Sequence, residues 1–267
     1  MKNKFLATFA GVVLLAAVSV VVFMCPKAGK MQSLKTTDPE FLAMWDNFIT
    51  NDVLPKNTLD AKTRYRVILA ASIATQGRAL FEQALSDALD GGLSAVEAKE
   101  VIYHAVPYVG FSKVYDFILA ANRIMERRGV KTPLEGQATT TPDTRKEKGF
   151  KLQSEIFGER IAKAYETSPK DLIHIQEFLS ANCFGDYYTR SGADVKTREL
   201  LTFVMLVSMG GAEPQAKGHV QGNVNVGNGR DVLIAAVTQI LPYIGYPRSL
   251  NAIAAINAVV PTSQENE

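Results

Sequence analysis

The feature that most constrains the fold of this 267-residue chain is an internal repeat. Asp60-Ala-Lys-Thr-Arg64 returns as Asp194-Val-Lys-Thr-Arg198, and Pro107-Tyr-Val-Gly-Phe111 returns as Pro242-Tyr-Ile-Gly-Tyr246. The blocks keep their order and, within one residue, their spacing. Two separated blocks in register are hard to obtain by chance, so we predict two copies of one module.

A polar segment over residues 130–148 separates the two copies. It is rich in threonine, proline and charged residues, and it lacks apolar periodicity. This composition indicates a linker. We therefore expect a first module over residues 39–129 and a second over residues 149–261, and we expect no regular structure over residues 31–38.

Residues 1–30 form a separate leader. Two lysines precede an apolar stretch from Phe5 to Met24. This order is typical of a segment delivered to a membrane translocon, and the stretch is long enough for a cleaved signal peptide or a membrane anchor. Both outcomes stay open, and lipid attachment at Cys25 is a third that its neighbours suit poorly. We expect an exported protein, periplasmic or membrane-anchored, that meets the membrane only through this segment.

Charge and cysteine content argue against a nucleic-acid-binding protein and against a disulfide-stabilised fold. The leader holds four lysines and no acid, which leaves 25 basic and 27 acidic residues in the rest of the chain. Such a balanced surface gives no reason to expect a nucleic-acid partner. Cys25 and Cys183 are the only cysteines, so the chain beyond the leader has no internal disulfide framework.

Local signals predict an all-α fold with five or more helices in each module. N-capping residues and first-turn prolines mark helix starts, and glycines mark helix ends. Alternating β-branched runs bounded by hairpin turns are absent, so we expect no sheet. In the second copy the predicted helices cover residues 169–184, 194–209, 214–227, 230–241 and 248–260.

His219 is the strongest of three histidines as a candidate for acid–base chemistry. Gln215 and Asn223 stand four residues to either side, so three polar side chains share one stripe of a helix. Gly218 and Gly222 would let another helix or a ligand approach closely. The other two histidines, His104 and His174, are interpreted mainly as structural, because only their titration range recommends them.

Glu199 lies on the helix that precedes His219. The turn at Gly210-Gly211 joins the two helices, and the two residues differ in distance from it by about one helical turn. We expect the carboxylate to reach or face the imidazole, raise its pKa and fix its tautomer. Such a pair suits proton transfer at carbon or oxygen. A buried polar pair that pins the helical hairpin is the alternative interpretation.

The second half resembles the carboxymuconolactone decarboxylase family, which shares its fold with alkylhydroperoxidase-like proteins; the first half resembles it weakly. The resemblance implies an all-α fold, an assembly of modules as trimers or hexamers, and therefore a homotrimer for a two-module chain. It also implies that the glutamate and histidine of the family correspond to Glu199 and His219. The motifs that carry it are Phe184-Gly-Asp-Tyr-Tyr, Lys196-Thr-Arg-Glu-Leu-Leu201, Gly210-Gly-Ala-Glu-Pro-Gln215, Gly218-His219, Gly227, Pro242-Tyr-Ile-Gly-Tyr246 and Leu250-Asn-Ala252.

The sequence departs from the peroxidase branch of that resemblance. Alkylhydroperoxidase-like relatives carry two cysteines, four and seven residues before the histidine, where this chain has Gln215 and Ala212. Without a thiol pair the chain cannot form the disulfide on which the peroxidatic cycle depends. Cys183 is interpreted as a packing residue rather than a nucleophile.

The first copy is expected to lack the site. Tyr65 stands at the glutamate position, and Ala84 or Leu85 stands at the histidine position. We expect this module to complete the oligomer and to wall a pocket.

Two functions from different classes follow. The first is an enzyme that carries out (de)carboxylation or proton transfer on a small carboxylate or lactone, with His219 and Glu199 as catalytic residues. The second is a non-catalytic oligomer that binds small molecules, since fold does not fix function; a peroxidase is less favoured. We expect no cofactor, and one histidine with scattered acids does not make a metal site. The side chains expected to line the pocket are Gln215, Asn223, Tyr243 and Tyr187.

Overall fold

The structure is a computed structural model that describes residues 31–262. Within that range the chain forms fourteen α-helices, two π-helical segments and one 3₁₀ turn, with no strand, which confirms the all-α prediction. No helix in residues 31–262 is both long and apolar enough to cross a membrane. The predicted signal peptide or anchor over residues 1–30 lies outside the described residues.

Helical structure begins earlier in the chain than predicted. Residues 31–38 were expected to lack regular structure, but most of them form a helix in which the Asp38 amide donates to the Leu34 carbonyl at 2.8 Å. Met, Gln, Leu and Lys, which dominate this segment, are good helix formers. The helices are α1 (Met31–Thr37), α2 (Pro39–Asn47), α3 (Ala61–Ala74), α4 (Arg78–Asp90), α5 (Ala95–His104), α6 (Val106–Val109) and α7 (Phe111–Arg127), with a π-helical segment (Phe48–Val53) and a 3₁₀ turn (Leu54–Lys56) after α2.

The second module differs from prediction at several helix boundaries. Its first helix starts inside the expected linker, and the helix predicted from residue 169 begins only at Ile173. The break expected over residues 242–247 is confined to Gly245, because the helices on either side are longer than predicted. Pro242 lies inside the helix before Gly245, where it removes one backbone hydrogen bond, yet the helix continues to Ile244. The helices are α8 (Arg145–Phe157), α9 (Arg160–Thr167), α10 (Ile173–Phe178), α11 (Val195–Met209), α12 (Glu213–Asn225), α13 (Arg230–Ile244) and α14 (Tyr246–Val259), with a π-helical segment (Leu179–Tyr188) after α10.

The repeated blocks have the same structural role in both modules. Asp60 and Asp194 cap α3 and α11, each accepting a hydrogen bond from the backbone amide three residues later, at 3.0 and 2.7 Å. Gly110 and Gly245 precede α7 and α14 with φ of +89° and +79°, values that favour glycine. The recurrence therefore preserves a helix start and a sharp turn.

The arginine of each repeated block reaches into the other module. Arg64 donates to the side-chain oxygen of Gln239 at 2.9 Å, and Arg198 donates to the Glu100 carboxylate at 2.8 Å. Around these contacts α3 packs against α11, and one apolar core spans both modules. In the same way α13 of the second module packs on α3, and α6 of the first module packs on α11. Each module thus covers a face of the other.

Candidate active site

A cavity of about 600 Å³ opens beside α12 in the second module. This volume lies within the range of small-molecule sites in proteins, and most of the wall is apolar. The first module contributes α6 to the wall, and the second contributes α8, α9, the π-helical segment 179–188, α11 and α12. The lining residues used below are Pro107, Tyr108, Phe157, Arg160, Cys183, Gln215 and His219.

The sequence-predicted pair meets at this cavity. His219 Nδ1 lies 2.8 Å from Glu199 Oε2, across the hairpin that α11 and α12 form. The Glu199 side chain is fully buried, whereas 15% of the His219 side chain is exposed and lines the cavity. Because the carboxylate engages Nδ1, it sets the tautomer and orientation of the ring, and Nε2 is the nitrogen left for a bound molecule.

Glu199 is held on both carboxylate oxygens. Tyr188 donates its hydroxyl to Oε1 at 2.9 Å and lies 2.8 Å from the Thr202 hydroxyl. Burial raises the pKa of Tyr188 well above its usual range, so the hydroxyl keeps its proton and remains a donor. Rotation of the glutamate away from His219 would therefore also break its hydrogen bond with Tyr188.

Asn223 supports the pair from behind instead of lining the cavity. Its amide donates to the backbone carbonyls of Glu199 at 2.9 Å and His219 at 2.7 Å, and the side chain is fully buried. This corrects the expectation that Asn223 contacts a ligand. The residue shares a helix stripe with His219, but at its position the stripe faces α11 rather than open space.

Of the other expected lining residues, only Gln215 lines the cavity. Tyr243 packs edge-on against Trp45 with ring centroids 5.9 Å apart, away from His219, and Tyr187 is not among the cavity residues. Tyr188, the next residue of the π-helical segment, contacts Glu199 instead.

The tyrosine that does line the cavity is Tyr108, the first-module counterpart of Tyr243. Its ring lies edge-on to His219 with centroids 6.0 Å apart, and its hydroxyl donates to Tyr188 at 3.2 Å. Because the modules cover each other's faces, Pro107 and Tyr108 of the first module lie at the cavity of the second. The repeat offset marks Tyr108 as the counterpart of Tyr243, but it does not indicate which of the two tyrosines lies beside His219.

Phe157 and Arg160 are cavity residues that sequence reasoning missed. Phe157 lies edge-on to His219 with centroids 5.3 Å apart, and the Arg160 guanidinium stacks 4.4 Å from the Phe157 ring centroid. Among the described residues that line this cavity, Arg160 alone carries a fixed charge. No motif marks either residue, since they belong to the α8–α9 hairpin that precedes the repeated part of the second module.

Gly222 is required for the pair to form beside Phe157. A Cβ atom at this position would lie 2.7 Å from Glu199 Oε2 and 2.7 Å from Phe157 Cε1. At Gly218 a Cβ would meet only the Arg160 nitrogens, at 4.0 Å. The two glycines therefore have different roles. Gly222 leaves room for the Glu199 carboxylate and the Phe157 ring, and Gly218 faces the cavity.

The remaining titratable candidates, Cys183 and His104, are buried side chains that contact other side chains of the protein. Cys183 contacts the Tyr108 hydroxyl at 3.5 Å, and burial raises the pKa of its thiol to about 12, which keeps it in the unreactive thiol form. His104 is fully buried against Thr202 and the Arg198 carbonyl, and burial lowers its pKa well below the usual range. In the first module the buried Leu85 and the partly buried Tyr65 offer no acid–imidazole pair.

Fold and site together define an all-α protein of two tandem modules, with a buried glutamate bonded to a histidine beside a cavity in the second module. No group of three or more side chains able to hold a metal ion occurs among residues 31–262. The chain belongs to the carboxymuconolactone decarboxylase family, which matches it twice, over residues 39–123 and 174–258.

Two relatives illustrate how far this likeness extends. The 4-carboxymuconolactone decarboxylase of Acinetobacter baylyi (strain ATCC 33305 / BD413 / ADP1) is 26% identical over 108 residues, which cover 40% of this chain and 80% of that protein. The crystal structure of a protein from Burkholderia xenovorans LB400, described as a candidate gamma-carboxymuconolactone decarboxylase subunit, superposes on this chain with a TM-score of 0.51. It is 20% identical and covers 87% of this chain and 91% of its own. At this identity the second likeness concerns the fold alone.

Proposed function

We propose that the chain is an enzyme that transfers a proton during the decarboxylation of a small carboxylated lactone or a related acid. The observation that carries the proposal is the 2.8 Å contact between Glu199 and His219 at the edge of the cavity. When a carboxylate leaves as CO₂, the electron pair of the broken C–C bond stays on carbon and requires a proton. The His219 imidazolium supplies it from Nε2, while Glu199 stabilises the cation and fixes the ring.

The cavity wall supports an anionic substrate with a flat or apolar body. Phe157 and Tyr108 present ring edges around His219, and Arg160 supplies a positive charge beside them. A guanidinium that held the departing carboxylate would stabilise the ground state and slow its loss. In this proposal Arg160 therefore binds an acidic group that stays on the substrate throughout the reaction.

Replacing Arg160 with methionine is expected to raise KM for a carboxylated lactone roughly tenfold, with kcat changed much less. Methionine keeps the contact with Phe157 but removes the charge, and the effect is moderate because Arg160 is exposed to water and salt. The measurement is steady-state CO₂ release. Arg123→Met on the exposed face of α7 is the matched control, and an equal KM in both variants would exclude Arg160 from substrate binding.

The reaction itself is tested on the purified full chain with carboxylated lactones, beginning with the compound for which the family is named. Substrate consumption is followed by chromatography and CO₂ release together. We expect stoichiometric loss of one carboxylate. Saturable binding of these compounds without any turnover would instead support the non-catalytic binding protein.

We also propose a homotrimer. Phe111 and Tyr115 on α7, and Tyr246 and Leu250 on α14, are exposed apolar side chains at matching positions of the two modules. Two equivalent apolar patches on one chain favour a closed ring in which each chain meets two neighbours. Light scattering after gel filtration should give the mass of three chains for the wild type and of one chain for a Phe111→Ser/Tyr246→Ser variant. A monomeric wild type would refute the trimer.

Export is a proposal carried by the leader sequence. The lysines before the apolar stretch Phe5–Met24 support delivery to a translocon. Fractionation of cells that express the full chain tests it, because recovery only in the cytoplasmic fraction would exclude export.

A further inference from the structure

A second cavity, of about 690 Å³, lies in the first module. It opens between α5, α7 and residues 130–137, and Arg190 of the second module also lines it. It shares no lining residue with the cavity at His219. The covering segment is anchored, since Gln137 accepts a hydrogen bond from the Ser191 amide at 3.0 Å and Thr139 donates to the Thr189 carbonyl at 2.8 Å. The segment expected to be a plain linker thus forms one wall of a cavity of ligand-binding size.

Lys99 lines this cavity as a buried cation without an acidic partner. The residue is only 5% exposed, and its ammonium donates to the Asn122 side-chain oxygen and lies 5.7 Å from the Tyr103 ring centroid. No carboxylate of the described chain lies within 4.0 Å of it. Burial lowers its pKa, as expected for an ammonium that has lost water without gaining an anion.

The acids near Lys99 do not compensate it. Glu100 is bound on one side by Arg190, at 2.8 and 3.0 Å, and on the other by Arg198 at 2.8 Å. Glu126 and Glu135 line the cavity but are exposed, where water and salt screen their charge. The buried positive charge of Lys99 is therefore available to a bound molecule.

The site is specific to the first module. In the register that aligns Pro107 with Pro242, Ile234 and Thr238 occupy the positions of Lys99 and Tyr103. The copy that lacks the Glu–His pair thus carries a lysine and an aromatic ring that the site-bearing copy lacks. The apolar side chains of Ile118, Val130 and Leu134 complete the wall.

We propose that this cavity binds a small carboxylate with an apolar body, whose carboxylate pairs with the Lys99 ammonium. An unpaired buried charge is costly, and an incoming anion that hydrogen-bonds to it recovers part of that cost. The Tyr103 ring and the aliphatic wall accept the apolar body, and the docked segment 130–137 covers it. The proposal is independent of the reaction at His219.

The test measures the binding of benzoate, phenylacetate and hexanoate by calorimetry, with benzyl alcohol as the neutral counterpart of benzoate. All proteins carry Arg160→Met, which weakens binding at the first cavity, and the comparison with Lys99→Met identifies the binding that depends on the second. We expect saturable binding of at least one carboxylate and none of the alcohol, and a loss of affinity of roughly tenfold or more in Lys99→Met. Lys113→Met, an exposed lysine on α7, is the matched control and should bind as tightly as the parent.

Three outcomes overturn the proposal: no carboxylate binds the parent, Lys99→Met binds as tightly as the parent, or both lysine variants lose affinity equally. Methionine matches the length of the lysine stem and removes a costly buried charge, so we expect Lys99→Met to unfold at a temperature no lower than the parent. If it does unfold at a lower temperature, Lys99→Gln, which keeps a donor without the charge, serves the same comparison.

Discussion

Replacing His219 with alanine is expected to lower kcat for a carboxylated lactone by about 10²–10⁴-fold, the range that one positioned general acid contributes. The variant removes the only imidazole among the described residues that line the cavity. Helical content should change little, whereas the unfolding temperature should fall, because the variant leaves the fully buried Glu199 carboxylate without its imidazole partner.

Glu199→Gln is expected to lower the rate less than His219→Ala. Glutamine keeps the shape of the side chain and can still accept a hydrogen bond from Nδ1, but it removes the charge that stabilises the imidazolium. His174→Ala, which alters an exposed histidine on α10, is the matched control and should leave kcat unchanged. Full activity in His219→Ala, measured as CO₂ release, would exclude His219 as the proton donor, whereas the binding protein requires that the wild type itself release no CO₂.

The parts of the site that the sequence could predict are those within one helical hairpin. Glu199 and His219 are linked by a glycine turn, so helix geometry alone sets their relative height, and their side chains meet at 2.8 Å as expected. The spacing of Gln215, His219 and Asn223 predicts that they share one stripe of a helix, and all three lie on α12. Periodicity does not tell which side of a stripe faces a cavity and which faces a neighbouring helix, and Asn223 faces the neighbour.

The parts that the sequence could not predict depend on how distant segments pack. Tyr108 reaches His219 because α6 of the first module lies on α11 of the second, an exchange that no local pattern encodes. The repeat shows that two tyrosines occupy equivalent places without telling which module each one serves. Arg160 is harder still to predict from the sequence. It lies at the cavity because it stacks on Phe157, and no sequence motif marks the α8–α9 hairpin to which both residues belong.

The largest effect on stability is expected from Gly149→Ala. Gly149 lies in α8 where that helix crosses the π-helical segment 179–188. A Cβ atom there would lie 1.9 Å from the Ser180 carbonyl oxygen and 2.5 Å from the Gly185 amide nitrogen. Both are backbone atoms, so no side-chain rotation relieves the clash, and the two helices must separate.

Two opposing terms decide the sign of this change. Alanine in a helix interior is favoured over glycine by about 1 kcal/mol, which alone would stabilise the protein. Forcing a packed helix pair apart costs at least about 3 kcal/mol, because overpacking beyond one movable side chain reaches the upper end of its usual range. We therefore expect a clear net loss in the free energy of unfolding, measured as a lower urea midpoint at unchanged slope.

Gly136→Ala is the matched control, because a Cβ atom at Gly136 would meet nothing within 4 Å. Its urea midpoint should stay at or slightly above that of the wild type. If Gly149→Ala unfolds at the same midpoint as Gly136→Ala, α8 does not cross the π-helical segment at this distance. The wall that carries Phe157 into the cavity would then be placed differently, since Phe157 ends the same helix. A separated α8 should also draw Phe157 away from His219, so that Gly149→Ala loses activity at urea concentrations where it is still folded.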